Sequence, residues 1–318
     1  MALLDNDARE REAERLAEGA PTHAPVRRPL PLLLLEAMRP KQWIKNLFVF
    51  AGLFFSGMVT HADAVTKTVV VFVAFCLASG ATYLLNDARD AEEDRHNPRT
   101  ARRPIARGDL SPALALLAAA ASALAALGIA FLVNWQSLAA LGGYVVIQLA
   151  YSHGLKHVLF VDVMAIAAGF VLRAAAGGLA IDVPVSTWLL LCTGLLAIFL
   201  GFTKRRAEAV ALGGTDTPKR AVLDHYSVGL LDELIAVVTP ATLAFYSIYA
   251  VTGAQSDWML LTVPFVIYGI FRVLYLVHHR TALTEEPAVV VYEDKPLLAC
   301  VALWGLVAAT IAAIASAT

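Results

Sequence analysis

The chain has 318 residues, 58% of them apolar and 16% charged, with mean hydropathy +0.66 and a formal net charge of −1. A soluble domain is nearer half apolar and a quarter charged, whereas a membrane-spanning helix needs roughly 20 apolar residues, so this composition has room for about nine spans and little else. A large soluble catalytic domain, a disulfide-stapled module and a nucleic-acid-binding fold are excluded. The expected architecture is an all-α polytopic membrane protein embedded in the lipid bilayer, with no nucleic-acid partner.

Residues 1–30 are rich in Arg, Glu, Asp and Ala and are punctuated near their end by Pro25, Pro29 and Pro31. They lack an apolar core followed by a small-residue cleavage site, so they read as a cytoplasmic tail and not as a signal peptide. Residues 31–318 read as a single transmembrane domain. Apolar runs bounded by charge, Pro or Gly place spans at Trp43 to Thr60, Thr66 to Leu85, Pro112 to Val133, Ser137 to Tyr151, Val161 to Ala180, Thr187 to Phe202, Leu234 to Val251, Trp258 to Val277 and Leu297 to Ala315. The first and fourth are short, and the first is expected to begin earlier, near Leu32 to Met38. Cys76, Cys192 and Cys300 each fall inside an apolar run with no ligand spacing, which predicts reduced packing residues.

Lys and Arg set the orientation. With a cytoplasmic N-terminus, 22 of the 25 basic residues lie inside and only Lys67 lies outside, Arg173 and Arg272 being within spans. The inside loops at Asn86 to Leu110, Lys204 to Asp232 and His278 to Pro296 are long and ionisable, while outside connections such as Asn134-Trp135-Gln136 are short. A transporter places its polar groups near the midplane; here they gather at one face.

The strongest feature is Asn86-Asp87-Ala88-Arg89-Asp90-Ala91-Glu92-Glu93-Asp94, where the second span ends. At about 100° per residue, Asn86, Asp90, Asp94 and Asp87 fall at roughly 0°, 40°, 80° and 100° on one helix face. Hard oxygens in that number suit Mg²⁺, which commonly bridges one or two carboxylates to substrate phosphates; the alternative is a solvated acidic helix end. Directly downstream, Arg102, Arg103 and Arg107 read as a polyphosphate clamp, against the alternative that a cytoplasmic loop is basic in any case.

Further along the same side, Arg39-Pro40-Lys41-Gln42-Trp43-Ile44-Lys45-Asn46 opens the first span. Trp43 and Lys41 fit interface anchors, but Lys45 and Asn46 sit deeper, where an anionic partner such as a lipid or substrate phosphate is expected. Tyr151 and Lys156 precede the fifth span and Asp162 opens it. Arg173 lies about 20° away from Asp162 on the same helical face and roughly 16 Å deeper, either as a functional cation or as an internal ion-pair partner. Lys204-Arg205-Arg206 reads as a basic stop or a second anion contact. Glu285, Glu286 and Asp294 add acidity that spacing does not assign, Gly213-Gly214-Thr215-Asp216 reads as a flexible turn, and His278-His279 as interfacial.

Nine spans, the N-D-x-x-D-x-x-x-D pattern at Asn86, Asp87, Asp90 and Asp94, and a second polar motif before span five resemble the UbiA superfamily of intramembrane prenyltransferases. Members acting on aromatic acceptors carry a second acidic D-x-x-x-D motif. This chain instead has Tyr151, Lys156 and Asp162 as Y-S-x-x-L-K-x-x-x-x-x-D. With Arg39 to Asn46 and Gly169-Phe170-Val171-Leu172-Arg173, that form is similar to the decaprenyl-phosphate phosphoribosyltransferase branch of actinobacterial arabinogalactan biosynthesis.

The resemblance implies transfer from phosphoribosyl pyrophosphate to decaprenyl (polyprenyl) phosphate, with Mg²⁺ as cofactor, yielding an arabinose-donor precursor for the cell wall. It implies Asp87, Asp90 and Asp94 as catalytic metal ligands with Asn86 assisting. Arg102, Arg103, Arg107 and Lys204 then fall to the donor phosphates, and Lys45, Asn46, Tyr151 and Lys156 to the lipid phosphate, with Asp162 and Arg173 open between a ribose hydroxyl, a second metal and a mutual ion pair. The protein is expected in the cell membrane with its site cytoplasmic; spacing does not decide between a monomer and a homo-oligomer. The rival readings are a UbiA-type enzyme joining a prenyl pyrophosphate to an aromatic acceptor, a multi-pass transporter, and a non-catalytic lipid-binding protein.

Overall fold

The computed structural model describes residues 28–97, 100–212, 221–253, 256–281 and 287–317, and among these there are helices and connections but no strand. The expected tail, apart from Arg28 to Leu30, and all of Gly213 to Asp216, Glu285 and Glu286 lie outside the described residues.

A short helix α1 (Leu30–Ala37) leads into a 3-10 segment (Pro40–Val49), then α2 (Phe50–Phe55) and a 3-10 turn (Met58–Thr60). α3 (Ala62–Arg89) and a short α4 (Ala91–His96) carry the acidic motif. α5 (Pro112–Val133), α6 (Trp135–His153), α7 (Val161–Ala180), α8 (Thr187–Leu212) and α9 (Val228–Ile248) follow, then α10 (Val263–His279) with its 3-10 lead-in, α11 (Pro287–Glu293) and α12 (Lys295–Ala317). The starts follow local chemistry. Ser111 Oγ accepts the Leu114 N–H (3.3 Å) with Pro112 behind it, and Ser227 Oγ accepts the Leu230 N–H (3.1 Å). Asn134 caps α6 at Ser137 (2.8 Å) while its amide donates to the Leu179 carbonyl (2.8 Å), tying that tight corner to the end of α7.

Seven of these helical segments, α3, α5, α7, α8, α9, α10 with its lead-in, and α12, are long and apolar enough to cross a membrane. α6 has 19 residues but carries Gln136, Ser137, Tyr144 and Gln148. The expected first span differs most, for it is a broken 3-10/α segment and not one helix. Arg39 takes a left-handed conformation (φ 55°, ψ 67°), Pro40 removes a backbone donor, and Gly57 (φ 73°) ends α2. Such irregular backbone survives at membrane depth only when enclosed by protein, and α7 supplies the enclosure. A Cβ on Gly177 would lie 1.7 Å from the Val49 carbonyl oxygen, and one on Gly52 2.5 Å from the Gly178 nitrogen, so close backbone packing seats the segment.

One core joins this segment to α3, α5, α6 and α7 through Val49, Leu53, Val71, Phe75, Leu141, Tyr144 and Ala176; a second joins α7 to α8, α9 and α10 through Val163, Phe199, Leu231 and Ile270. The three cysteines are unpaired thiols, Cys76 and Cys300 buried.

Asp294, unassigned by spacing, ties the last span down. It receives Arg272 bidentately (Nε to Oδ1 3.0 Å, Nη2 to Oδ2 2.8 Å), and its Oδ1 also accepts the Leu297 N–H at the start of α12 (2.9 Å). The Arg272 bonds hold its carboxyl below the usual carboxylate range. A depressed carboxylate stabilises the fold above its unfolded value, about 3.9, and that contribution disappears as pH falls through the lower folded value. Asp294→Asn is therefore expected to lower the thermal midpoint in detergent at pH 7, with the gap to wild type narrowing only below about pH 4. A gap that is already closed at pH 6 would contradict this role.

Candidate active site

α3 has 28 residues; at 1.5 Å per residue it is about 42 Å long, more than the roughly 30 Å hydrocarbon layer. Its last turn, bearing Asn86 and Asp87, therefore emerges from the apolar slab. The helix stops at Arg89, Asp90 sits at the joint (φ −91°, ψ 9°) and α4 begins at Ala91. The winding nonetheless continues, because the Asp90 N–H bonds the Asn86 carbonyl (2.9 Å) and the Asp94 N–H bonds the Asp90 carbonyl (2.8 Å). Asp87 and Asp94, two turns apart, thus stay on one side and both are buried (2% and 7% exposed).

Their charges converge on Arg103, whose Nη1 lies 2.5 Å from Asp94 Oδ2 and 3.2 Å from Asp87 Oδ1. Arg39 donates to the same Asp87 oxygen (2.5 Å) and lies over the Tyr83 ring at 4.6 Å. Asp87 Oδ2 is buried and accepts no hydrogen bond among the described residues. A buried carboxylate oxygen without a partner is costly, and a hard cation is what such an oxygen accommodates. No cluster of three or more His, Cys, Asp or Glu close enough to hold a metal occurs among the described residues. The residues present therefore fit a Mg²⁺ held by two carboxylates and completed by substrate phosphate oxygens, not an all-protein cage.

The side chains of Asn86 and Asp90 make no hydrogen bond or ion pair among the described residues, and both are partly exposed beside this pair. Of the expected arginine clamp, only Arg103 is at the carboxylates. Arg107 is turned to Glu36 of α1 (3.1 and 3.2 Å) and to Asp109, and Arg102 is exposed.

The residues expected to hold lipid phosphate separate into two places. Tyr151 and Lys156 are half-buried on either side of Gly154, where α6 gives way to a 3-10 turn (Leu155–His157). Lys45 is half-buried on the first 3-10 segment. Asn46, its neighbour, is only 1% exposed and faces inward: its amide donates to Cys76 Sγ and Ser79 Oγ (3.3 Å each), and its oxygen accepts Arg173 Nε (2.7 Å). Arg173 also donates to the Gly169 carbonyl (2.8 Å) and the Tyr144 hydroxyl (2.9 Å), and lies against the Tyr144 and Phe170 rings. It is a buried cation with no carboxylate within ion-pair distance among the described residues.

Asp162 does not meet Arg173. Its Oδ2 accepts Arg205 Nε (2.7 Å) and its Oδ1 the Tyr226 hydroxyl (2.9 Å). Arg205, fully buried, also reaches Glu208 Oε2 (2.5 Å) and the Tyr151 hydroxyl (3.0 Å). Lys204 stands 3.8 Å from Glu208 on the same helix, and Arg206 pairs with Asp232 (2.5 Å). Tyr226 stands in none of the sequence motifs, and Arg39 and Arg205 stand in basic runs whose partners spacing does not give. An apolar cavity of about 390 Å³ between α2, α7 and α12 lies at the other end of the bundle and contains none of the predicted site residues.

An all-helical, multi-pass membrane bundle with a carboxylate and arginine site at one end defines the class. The chain belongs to the UbiA prenyltransferase family, whose model matches residues 46–292. It is 34% identical over 303 residues to a decaprenyl-phosphate phosphoribosyltransferase of Mycolicibacterium smegmatis, covering 90% of this chain and 94% of that protein. A protein of the same name from Corynebacterium glutamicum is 32% identical over 281 residues, covering 85% and 84%. Among solved structures, a UbiA homolog from Archaeoglobus fulgidus bound to GPP and Mg²⁺ superposes with a TM-score of 0.66 at 19% identity, over 90% of this chain and 98% of that one.

Proposed function

We propose that the protein transfers the 5-phosphoribosyl group of phosphoribosyl pyrophosphate to decaprenyl (polyprenyl) phosphate, releasing pyrophosphate, with its N-terminus and reaction chamber on the cytoplasmic side of the cell membrane. The observation that carries this reading is an inequality between two sites. Asp87 and Asp94 converge on one point with a carboxylate oxygen to spare, whereas Asp162, the lone acid of the second motif, already has both oxygens engaged by Arg205 and Tyr226. A pyrophosphate needs a metal and carboxylate site. The second position, with Tyr151 and Lys156 instead of a carboxylate pair, suits a single phosphate. The names of the two bacterial relatives support the same assignment.

In this mechanism Asp87 and Asp94 would hold Mg²⁺, with Asp90 and Asn86 beside them as further oxygen donors; when bound, the ion would supply divalent charge that stabilises the pyrophosphate leaving group. Arg103, with the exposed Arg102, would contact the donor phosphates and share the charge that develops on them, whereas Arg107 and Lys204 would first have to leave Glu36 and Glu208. Lys156 and Tyr151 would hold the lipid phosphate on the opposite side of the ribose, while Lys45 stands apart from them on the first 3-10 segment. One phosphate oxygen forms the new bond to the anomeric carbon as the bond to pyrophosphate breaks, its electron pair leaving with pyrophosphate. The lipid phosphate is already ionised at neutral pH, so no general base is needed, and rate comes from positioning and charge stabilisation. The product is an activated pentose on a lipid carrier, suited to cell-wall arabinan assembly.

Purified protein with Mg²⁺, labelled phosphoribosyl pyrophosphate and polyprenyl phosphate is expected to move label into the organic phase. An unlabelled lipid fraction, together with transfer from a prenyl pyrophosphate to an aromatic acid, would replace this reading with the aromatic-acceptor reaction.

A further inference from the structure

Two tyrosines enter the buried cluster at the start of α7, and their hydroxyls are used in opposite senses. A guanidinium has five N–H donors and no acceptor, and an ionised carboxylate only accepts. Tyr226 receives the Phe160 backbone N–H (2.9 Å) and faces Asp162 Oδ1 (2.9 Å), so its single hydrogen goes to the carboxylate. Burial, with the Asp162 bond, pushes the Tyr226 phenol up, so it keeps that hydrogen at neutral pH. Tyr151 faces Arg205 Nη2 (3.0 Å), so its oxygen must be the acceptor. Its hydrogen finds no acceptor among the described residues, and the residue is half-buried at the polar end of the bundle.

We propose that Arg205, wholly buried and out of reach of any substrate, is a positioning residue. By occupying the acceptor side of the Tyr151 hydroxyl, it leaves that hydroxyl's hydrogen directed to a phosphate oxygen of the lipid acceptor. This rests on the proposed function. Arg205 is itself held at two other points, Asp162 Oδ2 (2.7 Å) and Glu208 Oε2 (2.5 Å), so the planar fork has little freedom to turn. Asp162 thereby acts at second hand: it orients the arginine that orients the tyrosine. Its other oxygen, through Tyr226 and the Phe160 N–H, fixes the connection that carries Lys156. Phe160 has a left-handed backbone (φ 65°), so that connection is held in a shape the chain alone disfavours.

The test is steady-state kinetics of the full chain in lipid nanodiscs, with the KM of each substrate measured separately. Tyr151→Phe removes only the hydroxyl and leaves both ion pairs of Arg205. It is expected to raise the polyprenyl phosphate KM about tenfold, the effect of one hydrogen bond to a charged group, with the phosphoribosyl pyrophosphate KM unmoved. Arg205→Lys keeps the charge but not the fork and is expected to do the same. The double variant is expected to be no worse than the poorer single. Multiplying effects, or a wild-type acceptor KM in either single variant, would overturn the proposal.

If Arg205→Lys does not fold, Tyr226→Phe decides. It removes the hydroxyl whose hydrogen is already engaged, so it should lower the thermal midpoint and shift both KM values alike. An acceptor-selective shift as large as that of Tyr151→Phe would refute the difference in polarity. A wild-type protein that makes no lipid-linked pentose refutes the proposed function and this inference together, whereas normal wild-type turnover with an unmoved Tyr151→Phe refutes the inference alone.

Discussion

Asp90→Asn is expected to reduce product formation by about a hundred- to a thousandfold, on the scale seen when one preorganised electrostatic contact to a developing charge is lost, while the thermal midpoint in detergent stays at the wild-type value. Asp90 separates the metal role from the structural one better than its neighbours do. Asp87 is buried between Arg39 and Arg103, and Asp94 is bonded to Arg103. Removing either leaves a guanidinium without its counter-charge, a change that typically costs about 3 to 5 kcal/mol when the pair is buried, so lost activity there would mix folding with chemistry. Asp90 sits at the α3 to α4 joint, partly exposed, with no side-chain partner among the described residues. Its loss therefore reads on the metal and the donor. Near wild-type turnover in Asp90→Asn would remove it from the ligand set.

The second large effect is structural. Gly177→Ala would place a methyl 1.7 Å from the Val49 carbonyl oxygen, and that oxygen belongs to backbone and cannot rotate aside. Either α7 or the broken first segment must move, at a cost expected to be at least about 3 kcal/mol, the upper end of ordinary overpacking. Because Asn46 of that segment bonds Arg173 of α7 (2.7 Å), the displacement also pulls on the polar centre of the bundle. Gly128→Ala is the matched control: nothing lies within 4 Å of its added methyl, so the change should be neutral or stabilising by about 0.5 kcal/mol. Thermal unfolding of both variants in one detergent checks the pair; equal midpoints would show that the close approach to Val49 does not hold the first segment in place.

Much of this could be read from the chain. α5 begins and ends where its apolar run does, punctuated by Ser111, Pro112 and Asn134; α7 also matches its run, without a side-chain cap at either end, because the apolar stretch itself is long enough to define a span. The acidic patch was legible because four oxygen-bearing residues leave an apolar span within nine positions, an arrangement that is costly without a cation. Hydropathy does not tell the broken first segment from one helix, because it reports how apolar a segment is and not how its backbone winds; the glycine approach that accommodates the 3-10 form is set by α7, over a hundred residues away.

The partners of the charges were hidden for a related reason. Asp162 and Arg173 share a helical face, yet the rise of the helix separates them, and each finds its partner on another element: Arg205 of α8 and Asn46 of the first segment. Arg39 reaches Asp87 across 48 positions of sequence, a pairing no local period encodes. Helical periodicity orders neighbours within an element, while ion pairs in this bundle run between elements.

In the proposed reaction one end of the bundle moves a pentose phosphate, and not pyrophosphate, onto a lipid phosphate. Two preparations of phosphoribosyl pyrophosphate, one labelled on the ribose and one on the pyrophosphate, test it when each is incubated with the protein, Mg²⁺ and polyprenyl phosphate and then partitioned between organic and aqueous phases. The ribose label is predicted to enter the organic phase while the pyrophosphate label remains in the aqueous phase; pyrophosphate label in the lipid, or no lipid label from either preparation, would contradict it.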